Sequence, residues 1–467
     1  MRRRMRWSLG AAALLLLALA AFAATPLGDR LRAMPPVGAG YAAEILCADL
    51  FVTGRDLADA VRDDLIPVNS LFRHARISAD RQQHSVTVSL FGLAERSALF
   101  RPGLGCTLIG AGGVKSLLDQ ARDIGPPQTQ PRPGPWPKGD VVQAEETPAL
   151  RTALDQAMRD GDGVVNRALI VVHHGRIVGE RYGAGFGPES RLLGWSMSKS
   201  VTAALIGIAV GQGALALDQP APVAAWQKPG DFRHPITPRH LLTMTSGLKF
   251  SETYDPGDDA TAMLYRRDDM AGYAAMQPLL EPPGQVWSYS SGSANILGRI
   301  LADWAGGSLA DFTRLARDRL FLPAGMTSAM LAPDASGTPV GSSYLYMTAR
   351  DWARFGQLFL GDGELAGRRI LPSAWVAETR RPVVTTKGER VAYGLQFWLN
   401  SDGAPEPHLR LPHCPPDLYW ADGHNGQMVA IIPSQDAVIV RLGWDTGPAH
   451  FGRDRHVAAI LAALAAD

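Results

Sequence analysis

Strand-like sequence lies at both ends of residues 146–467, and helix-like sequence lies between. ALIVVHHGRIVGERYG, near the start, has two apolar strands that turn at His174-Gly175, and QMVAIIP and AVIVRLGW lie near the end. Thr147-Pro148 is typical of a helix start, and HVAAILAALAA predicts a last helix. Because each strand must bury an apolar face, these segments predict a mixed α/β (α+β) fold. We expect one antiparallel sheet that is built from both chain ends and flanked by N- and C-terminal helices, with an inserted helical lobe.

The N-terminal region is poorer in helix-like sequence, and a proline-rich segment separates it from the rest. HSVTVSLFGLAERSALFRPGLGCTLI predicts short strands with turns at Gly92 and Pro102-Gly103. GPPQTQPRPGPWPKGD (125–140) contains six prolines, which favour extended chain. We therefore expect a small, β-rich accessory region over 36–110, a linker over 111–145 and a main domain over 146–467.

The first 24 residues have the pattern of a targeting segment. MRRRMRW is basic, Leu9 to Ala24 is apolar, and Ala21-Phe22-Ala23 forms a small-x-small cleavage site. A membrane-spanning helix usually needs about 20 apolar residues, so this run is short for one, and no later segment is expected to span a membrane. We expect a signal peptide and a periplasmic or secreted protein. An uncleaved anchor in the inner membrane, with the protein facing outward, is the alternative.

Composition and cysteine content exclude some classes of function. The formal net charge is +1, with mixed charges and no basic stripe, so a nucleic-acid partner is not expected. The three cysteines do not have the spacing of a metal site. Cys47 and Cys106 both lie beside strand-like sequence in the N-terminal region. Export would permit a disulfide between them, with Cys414 left free.

The main candidate for chemistry is GWSMSKS (194–200), which contains Ser196 and Lys199. On a helix, residues i and i+3 lie on one face. A serine becomes a nucleophile when a neighbouring base takes its proton, and burial lowers the pKa of a lysine so that it can serve as that base. The apolar segment VTAALIGIAVGQGAL supplies such surroundings, and the helix N-terminus offers N–H groups to an oxyanion. An ordinary helix with a snorkelling lysine and capping serines is the alternative.

Two later segments add to this motif. EPPGQVWSYSSGSANILG (281–298) places Tyr289 on a loop before a predicted helix, where a phenol can relay protons; a core tyrosine is the alternative. WADGHNGQMVAIIP (420–433) enters a strand, and its glycines permit a ligand to approach closely. The backbone N–H of Gln427 would be a second oxyanion donor beside that of Ser196. The alternative is a hairpin turn that carries a solvent-exposed His424.

The order of these segments resembles that of the penicillin-recognising serine hydrolases, which include class C β-lactamases, D,D-carboxypeptidases and related esterases. ITPRHLLTMTSGL, MTARDWARFGQLFL and YGLQFWLN are similar to the branch that contains 6-aminohexanoate-dimer hydrolases, and the resemblance covers about 145–465. LCADLFVTGR looks like an N-terminal extension that some members carry. The resemblance implies a β-lactamase/D,D-peptidase-like fold and an acyl-enzyme mechanism that needs no metal or organic cofactor.

The resemblance also implies roles for particular residues. Ser196 would be the acylated nucleophile, Lys199 its base, and Tyr289 the group that protonates the leaving group. His424 would stand where β-lactamases have lysine, and the N–H groups of Ser196 and Gln427 would form the oxyanion hole. Tyr254 lies in SETYD, where the family's substrate-facing loop would be. The remaining candidates for substrate binding are Ser291, Asn425 and Gly426.

Three features bear on the substrate. Tyr289-Ser290-Ser291 replaces the Tyr-x-Asn of β-lactamases, and Ser291 cannot make both hydrogen bonds of an asparagine amide. His424 carries less positive charge than lysine at neutral pH, which disfavours a β-lactam carboxylate. The acidic loop ETYDPGDD (252–259) is expected to be solvated; a site for a cation or for a substrate amine is the alternative.

We therefore expect an exported serine hydrolase whose partner is a small-molecule amide or ester, and the oligomeric state stays open. Two alternatives remain. One is a D,D-peptidase or β-lactamase that acts on cell-wall-like substrates, and the other is a binding or sensor protein of the same family that does not hydrolyse.

Overall fold

The computed structural model describes residues 25–125, 132–447 and 450–466. The predicted targeting segment 1–24 and part of the predicted linker lie outside the described residues. An N-terminal extension comes first, and its elements are α1 (Pro26–Ala48), α2 (Leu57–Ala60), β1 (Ala75–Asp80), β2 (Ser85–Leu90), β3 (Ala94–Arg101), β4 (Gly105–Leu108) and α3 (Gly113–Ala121). The four strands form an antiparallel sheet in the order β1-β2-β3-β4.

Helix α1 corrects the expectation that this region holds little helix. Thr25 begins the helix, since its hydroxyl accepts a hydrogen bond from Gly28 N at 3.1 Å. Pro35 and Pro36 lie inside the helix, where proline ordinarily breaks the hydrogen-bond ladder. Burial outweighs that cost, because residues such as Ala42 and Leu46 are fully buried against the sheet. The helical pattern was therefore hidden by the two prolines.

The segment Leu27–Thr53 is also the one helix within the described residues that is long and apolar enough to cross a membrane. This corrects the expectation that no segment after the N-terminus has that length. In the structure 72% of its apolar window is buried inside the protein. Burial of that extent is what a core helix of a folded protein shows, so its apolar character is explained by packing.

The extension is attached to the rest of the protein by polar contacts and by a common core. Asp64 is fully buried and pairs with Arg55 of the extension and with Arg167 of the main sheet. Its backbone oxygen accepts a hydrogen bond from Trp444 Nε1 at 3.1 Å. One hydrophobic cluster contains residues of both parts. Within the extension a disulfide joins Cys47 in α1 to Cys106 in β4, and Cys414 is a free, buried thiol.

The main part of the chain begins with a helix and a hairpin. Its helices are α4 (Pro148–Ala157), α5 (Met197–Gly211), α6 (Pro238–Leu242), α7 (Asp259–Arg266), α8 (Met270–Ala275), α9 (Ser291–Ala305), α10 (Leu309–Ala316), α11 (Ala349–Leu360), α12 (Ser373–Thr379) and α13 (Arg453–Leu464). Its strands are β5 (Asn166–His173), β6 (Arg176–Tyr182), β7 (Leu192–Leu193), β8 (Met330–Leu331), β9 (Leu345–Met347), β10 (Glu364–Leu365), β11 (Arg368–Arg369), β12 (Val383–Val384), β13 (Arg390–Val391), β14 (Trp398–Leu399), β15 (Tyr419–Gly423), β16 (Gln427–Ile432) and β17 (Ala437–Gly443).

The main sheet confirms the prediction of one antiparallel sheet made from both chain ends. Its strand order is β14-β15-β16-β17-β5-β6, so the last strand lies between β16 and β5. Alternate residues of β5 face opposite sides. Leu169 and Val171 pack with α4 and α13, whereas Ile170 and Val172 belong to the larger core that includes Phe355 of α11. Both faces are therefore covered, which explains why these strands read as continuous apolar runs.

Helix α5 lies between this sheet and the helical lobe. Every residue from Met197 to Ala209 is buried, and a helix that is apolar on all sides must be surrounded by protein. Helix α9, from the inserted lobe, packs beside it. The N-termini of α5 and α9 and the turn between β15 and β16 carry the residues that the sequence singled out.

Candidate active site

Ser196 lies immediately before α5, at the end of a tight turn. The preceding residue, Trp195, has a left-handed backbone with φ of +47°, which is uncommon for a residue other than glycine. Ser198 is engaged in holding this turn, since its hydroxyl donates to Trp195 O at 2.7 Å and accepts from Leu345 N at 3.2 Å. Ser196 is half-buried, so its hydroxyl is the one of the two that is available to a substrate.

Lys199 is buried within one turn of Ser196. Its ammonium nitrogen donates to Ser196 Oγ at 2.8 Å, to Ser291 Oγ at 3.0 Å and to the backbone oxygen of Ser342 at 3.2 Å. Only 1% of the residue is exposed. Burial lowers the pKa of Lys199 to about 8, and the negative charge of Glu252 opposes part of that change. A neutral amine is thus accessible near physiological pH, in contact with the serine hydroxyl.

Tyr289 lies on the other side of Lys199. The lysine nitrogen is 4.8 Å from the centre of the tyrosine ring, and the ring stacks on Trp398 at 5.6 Å between centroids. Burial raises the pKa of the Tyr289 hydroxyl well above its usual value, and the nearby Ser196 hydroxyl offsets part of the rise. The phenol is therefore protonated at neutral pH and can donate a proton.

Ser291 and Asn295, both on α9, surround the lysine from the lobe side. The Ser291 hydroxyl accepts from Lys199 and donates to Glu252 Oε1 at 2.7 Å. Asn295 Oδ1 accepts a hydrogen bond from Ser342 N at 3.1 Å, which fixes the carbonyl that Lys199 contacts. Asn295 thus positions a wall of the site, and Ser291 itself makes the direct contact with the lysine.

Glu252 is a site residue that sequence reasoning missed. The acidic loop was expected to be solvated, but Glu252 accepts hydrogen bonds from Ser291 N at 2.5 Å and from the Tyr254 hydroxyl at 3.0 Å. The other acidic side chains of the loop serve local structure; Asp258, for example, caps α7 by accepting from Thr261 N. A single sequence carries no signal for Glu252, because a loop has no periodicity that would indicate which carboxylate turns inward.

The turn His424–Gly426 is held from beneath by a fully buried ion pair. Arg441 pairs with Asp445 at 2.6 Å and donates to the backbone oxygens of Asn425 and Gly426, each at 3.1 Å. Gly426 has φ of +84°, and a Cβ there would lie 2.2 Å from Arg441 Nη1. The glycine is therefore required by the close approach of the guanidinium.

Gln427 and His424 flank that turn. The Gln427 side chain is directed into the protein, where its amide donates to His424 O at 3.0 Å and to Gly443 O at 2.7 Å. The His424 ring lies 5.7 Å from the Trp195 ring and 5.0 Å from the Tyr254 ring. Burial lowers the pKa of the imidazole to about 4, with a further contribution from His450. His424 is thus neutral at pH 7.

The structure brings most of the predicted residues together. Lys199 contacts Ser196, Ser291 and the face of Tyr289, as described above. A cavity of about 270 Å³ is lined by Ser196, Tyr254, Ser291 and His424. Asn425 and Gly426 instead line a separate depression beside His450 and Phe451. Within the described ranges, no cluster of three or more His, Cys, Asp or Glu side chains is arranged to hold a metal ion.

Comparison with known proteins relates this chain to serine hydrolases. Residues 152–464 match the model of the Beta-lactamase family, which is more than half of the chain. A 6-aminohexanoate-dimer hydrolase from Paenarthrobacter ureafaciens is 24% identical over 319 residues, covering 63% of this chain and 76% of that protein.

Two solved structures share the fold. A penicillin-binding protein homologue from Caulobacter crescentus has a TM-score of 0.54 at 19% identity and covers 70% of this chain and 100% of its own. EstCE1, a hydrolase with promiscuous acyltransferase activity, has a TM-score of 0.52 at 17% identity, with 68% and 97% covered. These likenesses support the predicted fold class, and the family match together with the site geometry leads to one conclusion. The chain belongs to the beta-lactamase family of serine hydrolases.

Proposed function

We propose that this protein hydrolyses small, uncharged amides or esters through an acyl-enzyme on Ser196. The observation that carries the proposal is the 2.8 Å contact between Lys199 Nζ and Ser196 Oγ, combined with a lysine pKa lowered to about 8 by burial. A buried amine of that basicity can take the proton of the serine hydroxyl. The hydroxyl oxygen then attacks the carbonyl carbon of the substrate.

The remaining steps use groups on either side of the serine. The backbone N–H groups of Ser196 and Gln427 are proposed to stabilise the oxyanion of the tetrahedral intermediate. Tyr289 transfers a proton to the departing nitrogen or oxygen, and the proton held by Lys199 replaces it. Water then attacks the acyl-enzyme carbonyl as Lys199 takes its proton, the serine–carbonyl bond breaks, and Lys199 returns that proton to the serine oxygen as the acid is released.

The charge of the site supports an uncharged substrate. Glu252 places a carboxylate beside Ser291, and His424 is neutral at pH 7. Among the described residues the cavity lining includes neither arginine nor lysine. A substrate carboxylate would therefore meet the Glu252 carboxylate, while the nearby amine of Lys199 is already hydrogen-bonded to Ser196 and Ser291. For this reason β-lactams and peptides with a free C-terminal carboxylate rank below neutral substrates, although the curated relative is named for a 6-aminohexanoate dimer.

Peptide mass spectrometry after a brief reaction with an activated ester tests the proposal. The protein is mixed briefly with p-nitrophenyl acetate, quenched in acid and digested, and we expect an added acetyl group on the peptide that contains Ser196, followed by its loss on longer incubation. Ser196→Ala should form no adduct. Ser198→Ala is the matched control and should still be acetylated, because the Ser198 hydroxyl is bonded to the backbone of Trp195 and Leu345 and is not the proposed nucleophile.

Other results would change the proposal in different ways. An adduct that persists without product release would favour a binding or sensor protein, since deacylation would then be absent. Acetylation of Ser196→Ala at the same rate as wild type would overturn the assignment of the nucleophile.

Below pH 8, the pH dependence of the acylation rate is expected to follow the deprotonation of Lys199. Because the neutral amine is the reactive form, the acylation rate should rise about tenfold per pH unit below pH 8 and level off above it. The carboxylate of Glu252 raises the pKa of Lys199, so Glu252→Gln should move the midpoint to lower pH. Stopped-flow measurement of the acylation rate at about ten pH values between pH 5 and 10 gives the profile of the wild-type protein and that of Glu252→Gln.

Asp255→Asn is the control for this shift. Asp255 belongs to the same acidic loop but pairs with Arg30, so its loss should leave the midpoint in place. A Glu252→Gln profile that coincides with wild type would show that Lys199 does not limit acylation on the acid side.

We also propose that the protein is exported. The basic and apolar pattern of residues 1–24 supports a cleaved signal, and a disulfide such as Cys47–Cys106 persists in oxidising compartments. Expression from its own N-terminus in a bacterial host, followed by N-terminal sequencing of the extracytoplasmic fraction, tests this. A mature chain that begins near Ala24 would support cleavage, and recovery only from the cytoplasm with a free Met1 would overturn export.

A further inference from the structure

The cavity that contains Ser196 is walled largely by the N-terminal extension. Its volume is about 270 Å³, close to the lower end of the range of small-molecule sites, about 300 Å³. The extension contributes apolar side chains to the wall from α1, from the segment before β1 and from β2 and the turn that follows it. These side chains are Met34, Val37, Leu71, Phe72, Leu90 and Phe91.

The wall is apolar away from the nucleophile. Among the described lining residues of the extension only Asn69 and Tyr41 carry a polar side-chain group, and the Tyr41 hydroxyl is itself buried. Asn69 accepts a hydrogen bond from Leu71 N at 3.0 Å, and the Thr261 hydroxyl donates to Asp255 O at 2.7 Å. A polar substituent placed against the apolar side chains of this wall would lose its hydration without gaining partners, whereas an apolar one would be removed from water at a gain.

The rim of the cavity is also apolar and solvent-exposed. Phe91 is 48% exposed and Leu71 is 40% exposed, and both line the cavity. Phe91 has a left-handed backbone, with φ of +55°, in the turn between β2 and β3. The disulfide joins α1 to β4 within the extension, and the buried Asp64 contacts attach the extension to the main domain. The extension therefore supplies a fixed surface next to the catalytic serine.

We propose that the N-terminal extension forms the specificity pocket of the enzyme, and that the pocket takes a short apolar group of the ester or amide substrate. This inference rests on the proposed function, because the pocket matters only if Ser196 is acylated. The extension is thus part of the binding site, and the main domain alone would leave Ser196 open to solvent on this side.

Two series of esters test the pocket in the full-length protein. One series varies the acyl chain of p-nitrophenyl esters from two to eight carbons, and the other varies the alcohol of acetate esters. In the series whose variable part enters the pocket, kcat/KM should rise about fourfold per added CH2 until the pocket is full. The other series should change little, and the comparison shows which side of the scissile bond faces the extension.

Variants at the rim connect that preference to the extension. Phe91→Asn keeps the left-handed backbone accessible and removes the apolar ring, so it should lower the ratio of kcat/KM for the longest to the shortest ester by about fivefold. Leu71→Ser is a second variant at the rim and should act in the same direction. Leu93→Asn is the matched control, since Leu93 is in the same hairpin, 75% exposed and not part of the lining.

Each outcome distinguishes this inference from the proposed function. If no ester, including the acetate, acylates a protein whose melting temperature is unchanged, both the proposed function and the pocket are overturned. Acylation with flat chain-length dependence in both series would overturn the apolar pocket alone. The chain-length dependence could also be steep and equally steep in Phe91→Asn, in Leu71→Ser and in the Leu93→Asn control. That result would place the apolar site away from the extension and overturn the inference.

Discussion

An enzyme that carries Lys199→Met should be acylated by p-nitrophenyl acetate about 10³-fold more slowly than wild type, within the 10²–10⁴-fold range of general-base catalysis. Methionine retains an unbranched side chain of similar length, so the buried volume is largely preserved while the base is lost. The serine proton then has no acceptor at 2.8 Å. Stopped-flow release of p-nitrophenol measures the loss, and the pH dependence below pH 8 should disappear with it.

Lys199→Arg separates the base from the charge. Arginine keeps a cation at this position but does not deprotonate in proteins, so it should be as inactive as the methionine variant. If Lys199→Arg retained more than about a tenth of wild-type acylation, a positive charge rather than a base would be sufficient, and the mechanism proposed above would fail. Thermal melts of both variants show whether the buried site still folds.

Removal of the Cys47–Cys106 disulfide is expected to lower the free energy of unfolding by about 4 kcal/mol, since the two cysteines are 59 residues apart and closing a loop of that length restricts the unfolded chain. Both side chains are completely buried, so Cys47→Ala with Cys106→Ala introduces no buried polar group. Urea denaturation measured by circular dichroism gives the change. Cys414→Ala is the control, because Cys414 is a buried free thiol.

The same variant also tests how the extension is held. With the disulfide absent, the apolar wall beside Ser196 is retained by packing and by polar contacts such as those of Asp64 and the hydrogen bond from Thr107 Oγ1 to Pro333 O at 2.8 Å. As urea is added, we expect the double variant to lose its preference for longer esters at a lower urea concentration than the wild-type protein does. A change in stability below about 1 kcal/mol would contradict the prediction, and would mean that the unfolded chain is already restricted in this region.

The main sheet was predictable because strand sequence has a local signature. β5, β16 and β17 are apolar runs with turns at recognisable positions, and Thr147-Pro148 begins α4 as expected. The pairing of Ser196 with Lys199 followed from helical spacing alone. Tyr289 required the resemblance, because a tyrosine on a loop has no pattern that separates a proton donor from a core residue.

The features that sequence reasoning missed depend on contacts between distant segments. Helix α1 is stabilised by burial against β2 and β3, which outweighs two internal prolines. Glu252 reaches Ser291 because a loop of the lobe folds over the N-terminus of α9. The wall formed by Leu71 and Phe91 exists only because the extension packs on the main domain, and each of these residues looks like ordinary surface or core in the sequence.

The position of β17 between β16 and β5 has a consequence for how the protein is made. Asn166 of β5 contacts Arg441 of β17 at 3.0 Å across 275 residues of sequence, so the sheet cannot close until nearly the whole chain is available. At a synthesis rate of 5–20 residues per second, about 15 to 55 s pass between the two strands. During that interval the chain lacks its complete main sheet. A chain that ends before β17 would leave β5 and β16 without their shared neighbour, and would have exposed strand edges prone to aggregation.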